Sequence, residues 1–253
     1  MPQGLGPLTG GLLIAIVAVA FTTEATVGFG ATLITLALGS LVTSIDELLY
    51  AIVPLNLVLS TAVLARSFRH VDRRALGLGI LPAMAVGFPI GVVAFERLPR
   101  EQVRVGFGVF VAVLGAVELV AQVRQLRGAP QERPLSRGLA LALLFLGGAV
   151  HGAFASGGPP VVYVCGRTLP DKRVFRATLS ALWLLLGAVL FVVHTANGHI
   201  GATSLKTTAL LVPGLAIGLA GGEFAHGRLP EKTFRLLVFA LLVGVGIVLA
   251  VRG

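Results

Sequence analysis

Residues 152–164, GAFASGGPPVVYV, place a serine, a glycine pair and a proline pair directly after a histidine. His151 lies five residues before Ser156, so the two side chains could serve as base and nucleophile of an enzyme. The same residues allow a second chemistry. A glycine-rich break leaves backbone N–H groups without helical partners, and Ser156, Gly157 and Gly158 are then expected to donate hydrogen bonds to an anion.

A second glycine-containing break, VGFGAT at 27–32, follows Glu24. Three roles fit this carboxylate: a proton carrier, a cap on the helix that begins after the break, or a group that faces the outer aqueous vestibule. His151 stands beside the other break and is likewise a candidate for proton transfer. The residues expected to contact substrate around the first break are Thr26, Gly28, Phe29, Gly30 and Thr32.

Other polar residues stand apart from the breaks. Asn56, in VPLNLVLS, is predicted either to reach the substrate or to form a hydrogen bond between helices. Arg176 is predicted to attract substrate at the mouth of its path or to set membrane topology. Cys165, the single cysteine, excludes an intrachain disulfide and a multi-cysteine metal site. No metal or cofactor is expected, and no Gly-x-x-x-x-Gly-Lys-Ser/Thr pattern indicates ATP binding.

The elements that must position these residues are membrane helices. Only 12% of the residues are charged, about half the usual share of a soluble domain, and apolar runs long enough to span a bilayer recur along the chain. The net charge of +9 does not indicate nucleic-acid binding, because the Lys and Arg residues fall in short loops between apolar runs. The predicted segments are 8–26, 28–42, 47–65, 75–95, 103–123, 136–155, 157–166, 174–194, 205–223 and 233–251.

The sequence contains an internal repeat at a shift of 131 residues. ERLPREQVR at 96–104 then aligns with GRLPEKTFR at 227–235, and Gly87 and Gly91 align with Gly218 and Gly222. The repeat predicts a first transmembrane repeat at 1–123, a cytoplasmic linker at 124–135 and a second transmembrane repeat at 136–253. Each repeat begins with a broken segment pair and continues with three full spans.

The distribution of Lys and Arg favours one topology. If each broken pair returns to the side from which it came, fifteen of the twenty basic residues lie on one side and five on the other. The positive-inside rule then places both termini outside and the linker inside. The predicted fold is an all-α polytopic membrane protein of two inverted-topology repeats, each with a broken or re-entrant helix pair plus three full transmembrane helices.

Three stretches resemble the sulfite exporter TauE/SafE family of permeases: residues 152–164, RATLSALWLL at 176–185 and VGFGATLITLAL at 27–38. The resemblance covers essentially the whole chain. It implies a secondary transporter in the cytoplasmic (inner) membrane for a sulfur-containing anion, namely sulfite, thiosulfate or an organosulfonate, working by alternating access and driven by protons or the membrane potential. The expected partners are that anion, protons and the lipid bilayer, and a homodimer is compatible with the sequence.

Alternatives from other classes remain. An intramembrane enzyme would use Ser156 and His151, although an inverted repeat serves no purpose in such an enzyme. A cation permease is disfavoured because Glu24 is the one carboxylate near a break. A channel has the same sequence features as a carrier.

Overall fold

The computed structural model describes residues 6–27, 29–126, 135–169, 171–225 and 231–251, and within these ranges every regular element is helical. A 3₁₀ turn at Phe68–His70 and a π-helical segment at Ala75–Ile80 precede the fourth α-helix. The α-helices are α1 Pro7–Val27, α2 Ala31–Gly39, α3 Ile45–Ser67, α4 Leu81–Arg97, α5 Arg100–Leu126, α6 Arg137–Phe154, α7 Gly158–Thr168, α8 Lys172–Ala196, α9 Ala202–Ala225 and α10 Glu231–Val251.

Seven spans within the described residues are long and apolar enough to cross a membrane. Large apolar side chains lie exposed on their outer faces, among them Val58, Val113 and Ile217. Exposed apolar surface on this scale is unfavourable in water but matches the hydrocarbon core of a bilayer. The prediction of a polytopic helical membrane protein is therefore confirmed. The spans are Pro7–Ala25, Ile45–His70, Ala75–Arg97, Arg100–Ala121, Arg137–Phe154, Lys172–Ala196 and Ala202–Gly222.

The two short helices fold back on the helices that precede them. A Cβ built at Gly30, at the start of α2, would lie 3.9 Å from Thr23 Cγ2, whereas one at Gly39, at its end, would lie 3.4 Å from Leu13 Cδ2. Helix α2 therefore runs antiparallel along α1. Helix α7 likewise packs on α6, with Val161 against Gly147.

The long helices pack across the two predicted repeats. Helix α1 packs on α9, α4 on α6, α3 on α8 and α5 on α10. A shift of 131 residues exchanges α1 with α6 and α4 with α9, so the first two contacts are equivalent under the repeat. Two halves of equal structure would produce this pattern.

Glycines permit the closest helix contacts. A Cβ at Gly91 in α4 would lie 1.8 Å from the carbonyl oxygen of Ala149 in α6. At Gly218 in α9, a Cβ would lie 2.9 Å from the carbonyl oxygen of Ala18 in α1, and Ala18 is the repeat equivalent of Ala149. The hydrophobic effect does not drive helices together inside a bilayer, so close packing must. Small residues at the crossings let the helix backbones approach closely enough for it.

Side-chain caps fix where several helices begin. Ser44 Oγ accepts the Glu47 N–H at the start of α3, and Ser136 Oγ accepts the Leu139 N–H at the start of α6. Asp171 accepts the N–H groups of Arg173 and Val174 at the start of α8. These two N–H groups, Val174 first, hold the pKa of Asp171 below its usual range because they bind its ionised form.

Candidate functional site

The two helix breaks meet at one cavity. Its volume is about 30 Å³, which exceeds the space needed for a single water molecule. Both hairpins contribute to its wall, and α3 and α8 complete it. The lining residues are Glu24, Phe29, Gly30, Thr32, Val53, Asn56, Ser60, His151, Ala155, Ser156, Gly157, Gly158, Trp183 and Gly187.

Glu24 caps the first half-helix from a distance of seven residues. The helix α2 begins after Gly30, whose φ of 112° lies in the left-handed region and which offers no side chain as a cap. The Ala31 N–H instead donates a hydrogen bond of 2.7 Å to Glu24 Oε2. A carboxylate at a helix N-terminus is favourable because the helix dipole is positive there. In this conformation Glu24 caps α2, and the residue also lines the cavity.

Among the residues that the structure describes, the start of the second half-helix keeps one backbone N–H without a partner. Four N–H positions at the start of a helix lack helical partners. At α7, Pro159 and Pro160 remove two of them, and the Gly157 N–H donates to His151 Nδ1 at 3.4 Å. Gly158 therefore keeps the remaining N–H, next to the side chain of Ser156.

His151 is held as a hydrogen-bond donor to the cavity. It is buried and stacks on Trp183 at a centroid distance of 5.2 Å with 13° between the rings. Because Nδ1 accepts the Gly157 N–H, the neutral ring carries its proton on Nε2. Nε2 has no hydrogen-bond partner in the described part of the chain. It is therefore available to a bound acceptor.

The backbone turn that places these groups is tight. Helix α6 ends at Phe154 and is capped by Ala155, whose φ of 49° is left-handed. The Ala155 N–H donates to the His151 carbonyl at 2.7 Å. A non-glycine residue in this region is uncommon. The turn carries the chain from α6 into α7, so that Ser156 and Gly158 face the same cavity as His151.

The long helices α3 and α8 add amide, hydroxyl and aromatic groups. Asn56 Nδ2 donates to Thr32 Oγ1, which joins α3 to the first half-helix. The amide carries a second hydrogen, and Asn56 lies on the cavity wall. Gly187, the repeat equivalent of Asn56, lines the cavity from α8.

The nucleophile-and-base alternative lacks its hydrogen bond. His151 Nδ1 accepts a hydrogen bond from the Gly157 N–H, and His151 Nε2 has no partner among the residues that the structure describes. Ser156 Oγ is therefore bonded to neither nitrogen. An activated serine needs its base within hydrogen-bond reach.

Arg176 lies at a different cavity from the other predicted site residues. This second cavity has a volume of about 790 Å³ and is lined by Arg66, His70, Arg173 and Arg176 together with small and apolar residues. We call it the basic vestibule. Ala25 and Val63 line it, whereas Glu24 and Ser60 line the central cavity. The two cavities therefore follow each other along α1 and α3.

Most of the predicted contact residues lie at the central cavity. Phe29, Gly30, Thr32, Asn56, Ser156, Gly157 and Gly158 line it, as do Glu24 and His151. Gly28 lies outside the described residues, and the side chain of Thr26 is not among those described.

Sequence reasoning did not identify Val53, Ser60, Ala155, Trp183 or Gly187 as lining residues. Trp183 is the one tryptophan of the chain and lies two helical turns after Arg176 in α8. That spacing puts the two residues on one face of the helix. It could have indicated that Trp183 faces the interior on the same side as Arg176.

The comparisons with known proteins identify a family and two relatives. The model of the family "Sulfite exporter TauE/SafE" matches residues 12–249. A probable sulfite/organosulfonate exporter TauE from Cupriavidus necator is 27% identical over 192 residues, or 74% of this chain and 72% of that protein. A probable inner membrane transporter protein TsaS from Comamonas testosteroni is 27% identical over 183 residues, or 72% of this chain and 73% of that protein.

No solved structure matches the chain significantly. The family match extends over nearly the whole length, including both breaks, α3 and α8. The chain therefore belongs to the sulfite exporter TauE/SafE family and is a multi-pass membrane transporter rather than an enzyme.

Proposed function

We propose that the protein carries a small sulfur-containing anion, of the sulfite, thiosulfate or organosulfonate class, across the cytoplasmic membrane. The observation that carries the proposal is the meeting of two broken helices at one small cavity. The names of the two relatives of this chain point to the same substrate class and to the same membrane. Broken helices that meet near the bilayer midplane are typical of substrate sites in secondary transporters.

The donors around the cavity suit an oxyanion. The Gly158 N–H, the Nε2–H of His151 and the Asn56 amide are hydrogen-bond donors, and Ser156 and Thr32 add hydroxyl groups. Lysine and arginine do not occur among the described lining residues. The anion would therefore be stabilised by hydrogen bonds and the α7 dipole, which allows it to leave more easily than a buried ion pair would.

The size of the cavity favours a compact substrate. At about 30 Å³ it has room for a few water-sized groups. An inorganic oxyanion with its oxygens on one sulfur centre fits this space more closely than a sulfonate with a carbon chain. We expect sulfite and thiosulfate to be taken up before sulfoacetate.

The two repeats are proposed to lie inverted in the membrane. Each repeat would contribute a hairpin that returns to its own side and three spans, an odd number of crossings. The folding of α2 along α1 supports this arrangement, as does the exchange of packing partners between the repeats. Rocking of one bundle against the other would then expose the cavity to each side in turn.

The basic vestibule is proposed to be the cytoplasmic mouth of the path. Arg66, Arg173 and Arg176 belong to the basic side of the predicted topology. Positive charge at a cleft raises the local concentration of anions and their association rate, and salt weakens the effect. Arg176→Gln is expected to raise the KM for anion uptake from the vestibule side at low ionic strength, and the difference should vanish at high salt.

Uptake into liposomes tests the proposal. The purified protein would be reconstituted, and uptake of sulfite, thiosulfate, sulfoacetate, sulfate, lactate and chloride would be measured with and without a pH gradient. The informative variant is His151→Phe, which keeps a ring on Trp183 but removes the Nε2–H donor. Losing a hydrogen bond to a charged group costs about 1.5–3 kcal/mol, so affinity should fall about ten- to hundredfold.

Thr195→Val is the matched control, because Thr195 is exposed near the end of α8 and lines neither cavity. Its uptake should equal that of the wild type. Folded protein that moves none of the anions above the level of empty liposomes would contradict the proposal. Uptake of a cation instead, unaffected by His151→Phe, would favour a cation permease, and uptake that never saturates would favour a channel.

A further inference from the structure

We propose that Glu96, His194 and His199 form a binding site for a divalent transition-metal ion, with Zn²⁺ as the best match. The three residues lie at the end of α4, the end of α8 and the turn before α9. One ligand atom from each lies within 4.8 Å of the others. None of the three lines the central cavity or the basic vestibule, so the site is independent of the proposed transport function.

The end of α8 forms a Schellman motif that brings the two histidines together. Asn197 is the C-cap, and Gly198 follows with a φ of 77°. The His199 N–H donates to the His194 carbonyl at 2.8 Å, and the Gly198 N–H donates to the Thr195 carbonyl at 3.0 Å. In this motif the side chains of residues 194 and 199 face each other and usually form an apolar contact. Here both residues are histidines, so two imidazoles meet instead of two apolar side chains.

The buried imidazole of His194 lacks a protein partner. Its relative exposure is 0%, and neither ring nitrogen forms a hydrogen bond to any residue that the structure describes. His199 Nδ1 is in the same situation. A neutral imidazole presents one lone pair and one N–H, and buried polar groups without partners are rare in folded proteins. A metal ion would accept the lone pair of each ring.

Neighbouring side chains hold the candidate ligands in place. The ring of Tyr50 stacks on His199 at 4.9 Å and meets His194 edge-on at 5.0 Å. Asn197 Nδ2 donates to Glu96 Oε1 at 2.5 Å, which orients the carboxylate and leaves Oε2 for a ligand bond. Such outer contacts orient metal ligands and raise affinity.

The local charges also favour a cation. The guanidinium of Arg100 lies nearby, but its Nη1 is 3.1 Å from Asp46 Oδ1 and donates to the Phe95 carbonyl at 2.8 Å. These contacts direct Arg100 to Asp46 rather than to Glu96. The negative charge of Glu96 therefore remains next to the two imidazoles.

The donor set selects the class of metal. Two imidazole nitrogens and one carboxylate oxygen suit Zn²⁺ and similar first-row transition ions, whereas Mg²⁺ prefers oxygen ligands alone. Zinc binds nitrogen and oxygen at about 2.0–2.2 Å, so the ligand atoms must approach somewhat closer than they lie here. His199 and Glu96 are partly exposed, so small shifts of their side chains can bring the ligand atoms closer to the ring of His194. A water molecule would complete a tetrahedral site.

Thermal unfolding with added Zn²⁺ tests the site. The protein would be purified in detergent without a polyhistidine tag, and its Tm followed through the fluorescence of Trp183, with Zn²⁺ affinity measured by calorimetry. Zn²⁺ should raise the Tm of the wild type, because an ion bound only to the folded state stabilises it. Mg²⁺ should not. His199→Phe, which keeps a ring on Tyr50, and Glu96→Gln should each remove the Zn²⁺-dependent shift.

His70→Ala is the matched control, since His70 is exposed in the 3₁₀ turn, far from these residues in the chain. It should keep the full shift. Asn197→Ala, which leaves all three ligands in place, should weaken Zn²⁺ binding about 10–100-fold. The proposal is overturned if Zn²⁺ does not raise the wild-type Tm, or if His199→Phe and Glu96→Gln, folded without metal, keep the shift.

Discussion

At the scale of single residues, Glu24 both caps a helix and lines the central cavity. The Glu24 carboxylate accepts a hydrogen bond from the Ala31 N–H. It thereby occupies the positive end of α2, which would otherwise attract a bound anion. Among the described lining residues it is also the one acidic group. A bound anion must therefore either tolerate this negative charge or arrive together with a proton that neutralises it. The second case would couple transport to protons.

Glu24→Gln tests this coupling. Glutamine keeps an oxygen for the Ala31 N–H but removes the charge, so the fold should remain. Repulsion between two unit charges a few ångströms apart in a partly polar medium amounts to a few kcal/mol, so the KM for the anion should fall about tenfold or more. Acceleration of uptake by an imposed pH gradient should be lost. Liposome uptake at a series of anion concentrations measures both quantities.

His151→Gln is the companion variant, because His151 is the other candidate for proton transfer. If Glu24 carries the proton, this variant keeps the response to the pH gradient at reduced anion affinity. Proton coupling through either residue must be abandoned if the Glu24→Gln, His151→Gln double variant still accumulates anion fully in response to the gradient.

Helix pairs hold the cavity in place through glycine contacts. At the crossing of α4 and α6, Gly87 and Gly91 approach the backbone of Phe145 and Ala149. A larger residue on either helix would separate the two elements. The break after α6 would move with them, because the Cβ built at Gly91 also comes within 2.8 Å of the Ala153 N.

Gly91→Ala is expected to destabilise the protein by about 1–3 kcal/mol, the usual cost of overpacking a well-packed contact. Gly106→Ala in α5 is the matched control, because a Cβ there meets no atom within 4 Å. Alanine is the better helix former by about 1 kcal/mol, so the control should be as stable as the wild type or slightly more. Thermal unfolding in detergent gives the comparison, and equal Tm values for the two variants would contradict the packing argument.

At the scale of the whole molecule, topology is the property that remains a prediction. The basic loops predict that the turn between α3 and α4 lies in the cytoplasm and that the turn between α8 and α9 lies outside. Cys165 is buried, so it gives little background in a thiol-labelling experiment. Single cysteines added at exposed positions can therefore report the side of the membrane.

Thr203→Cys should react with a membrane-impermeant maleimide in intact cells, whereas Arg74→Cys should react only after the membrane is opened. Both positions are exposed in the structure, so access from the correct side is the main variable. The wild type, with Cys165 alone, is the labelling control. The reverse pattern would show that the orientation is opposite to the predicted one. Labelling of both residues from outside would contradict the prediction that each hairpin returns to its own side.

The sequence by itself determined the membrane class, the positions of the helices and the breaks. Spans follow from local hydropathy, and the breaks follow from glycine and proline, which disfavour a helix wherever the chain goes. For this reason the segment predicted at 157–166 appears as α7, and the residues around Ser156 lie at a cavity wall, while their role in substrate binding stays a prediction. The repeat was visible because identical glycines recur at helix crossings.

Only the tertiary structure decided which side chains meet. Trp183 stacks on His151, Glu24 caps Ala31 across the break, and His194 and His199 face Glu96. In a membrane helix both the lipid-facing and the buried faces are apolar, so periodicity does not reveal which face a cavity will occupy. Those contacts depend on how α3, α4, α6 and α8 pack against one another, and that packing is set by residues far apart in the chain.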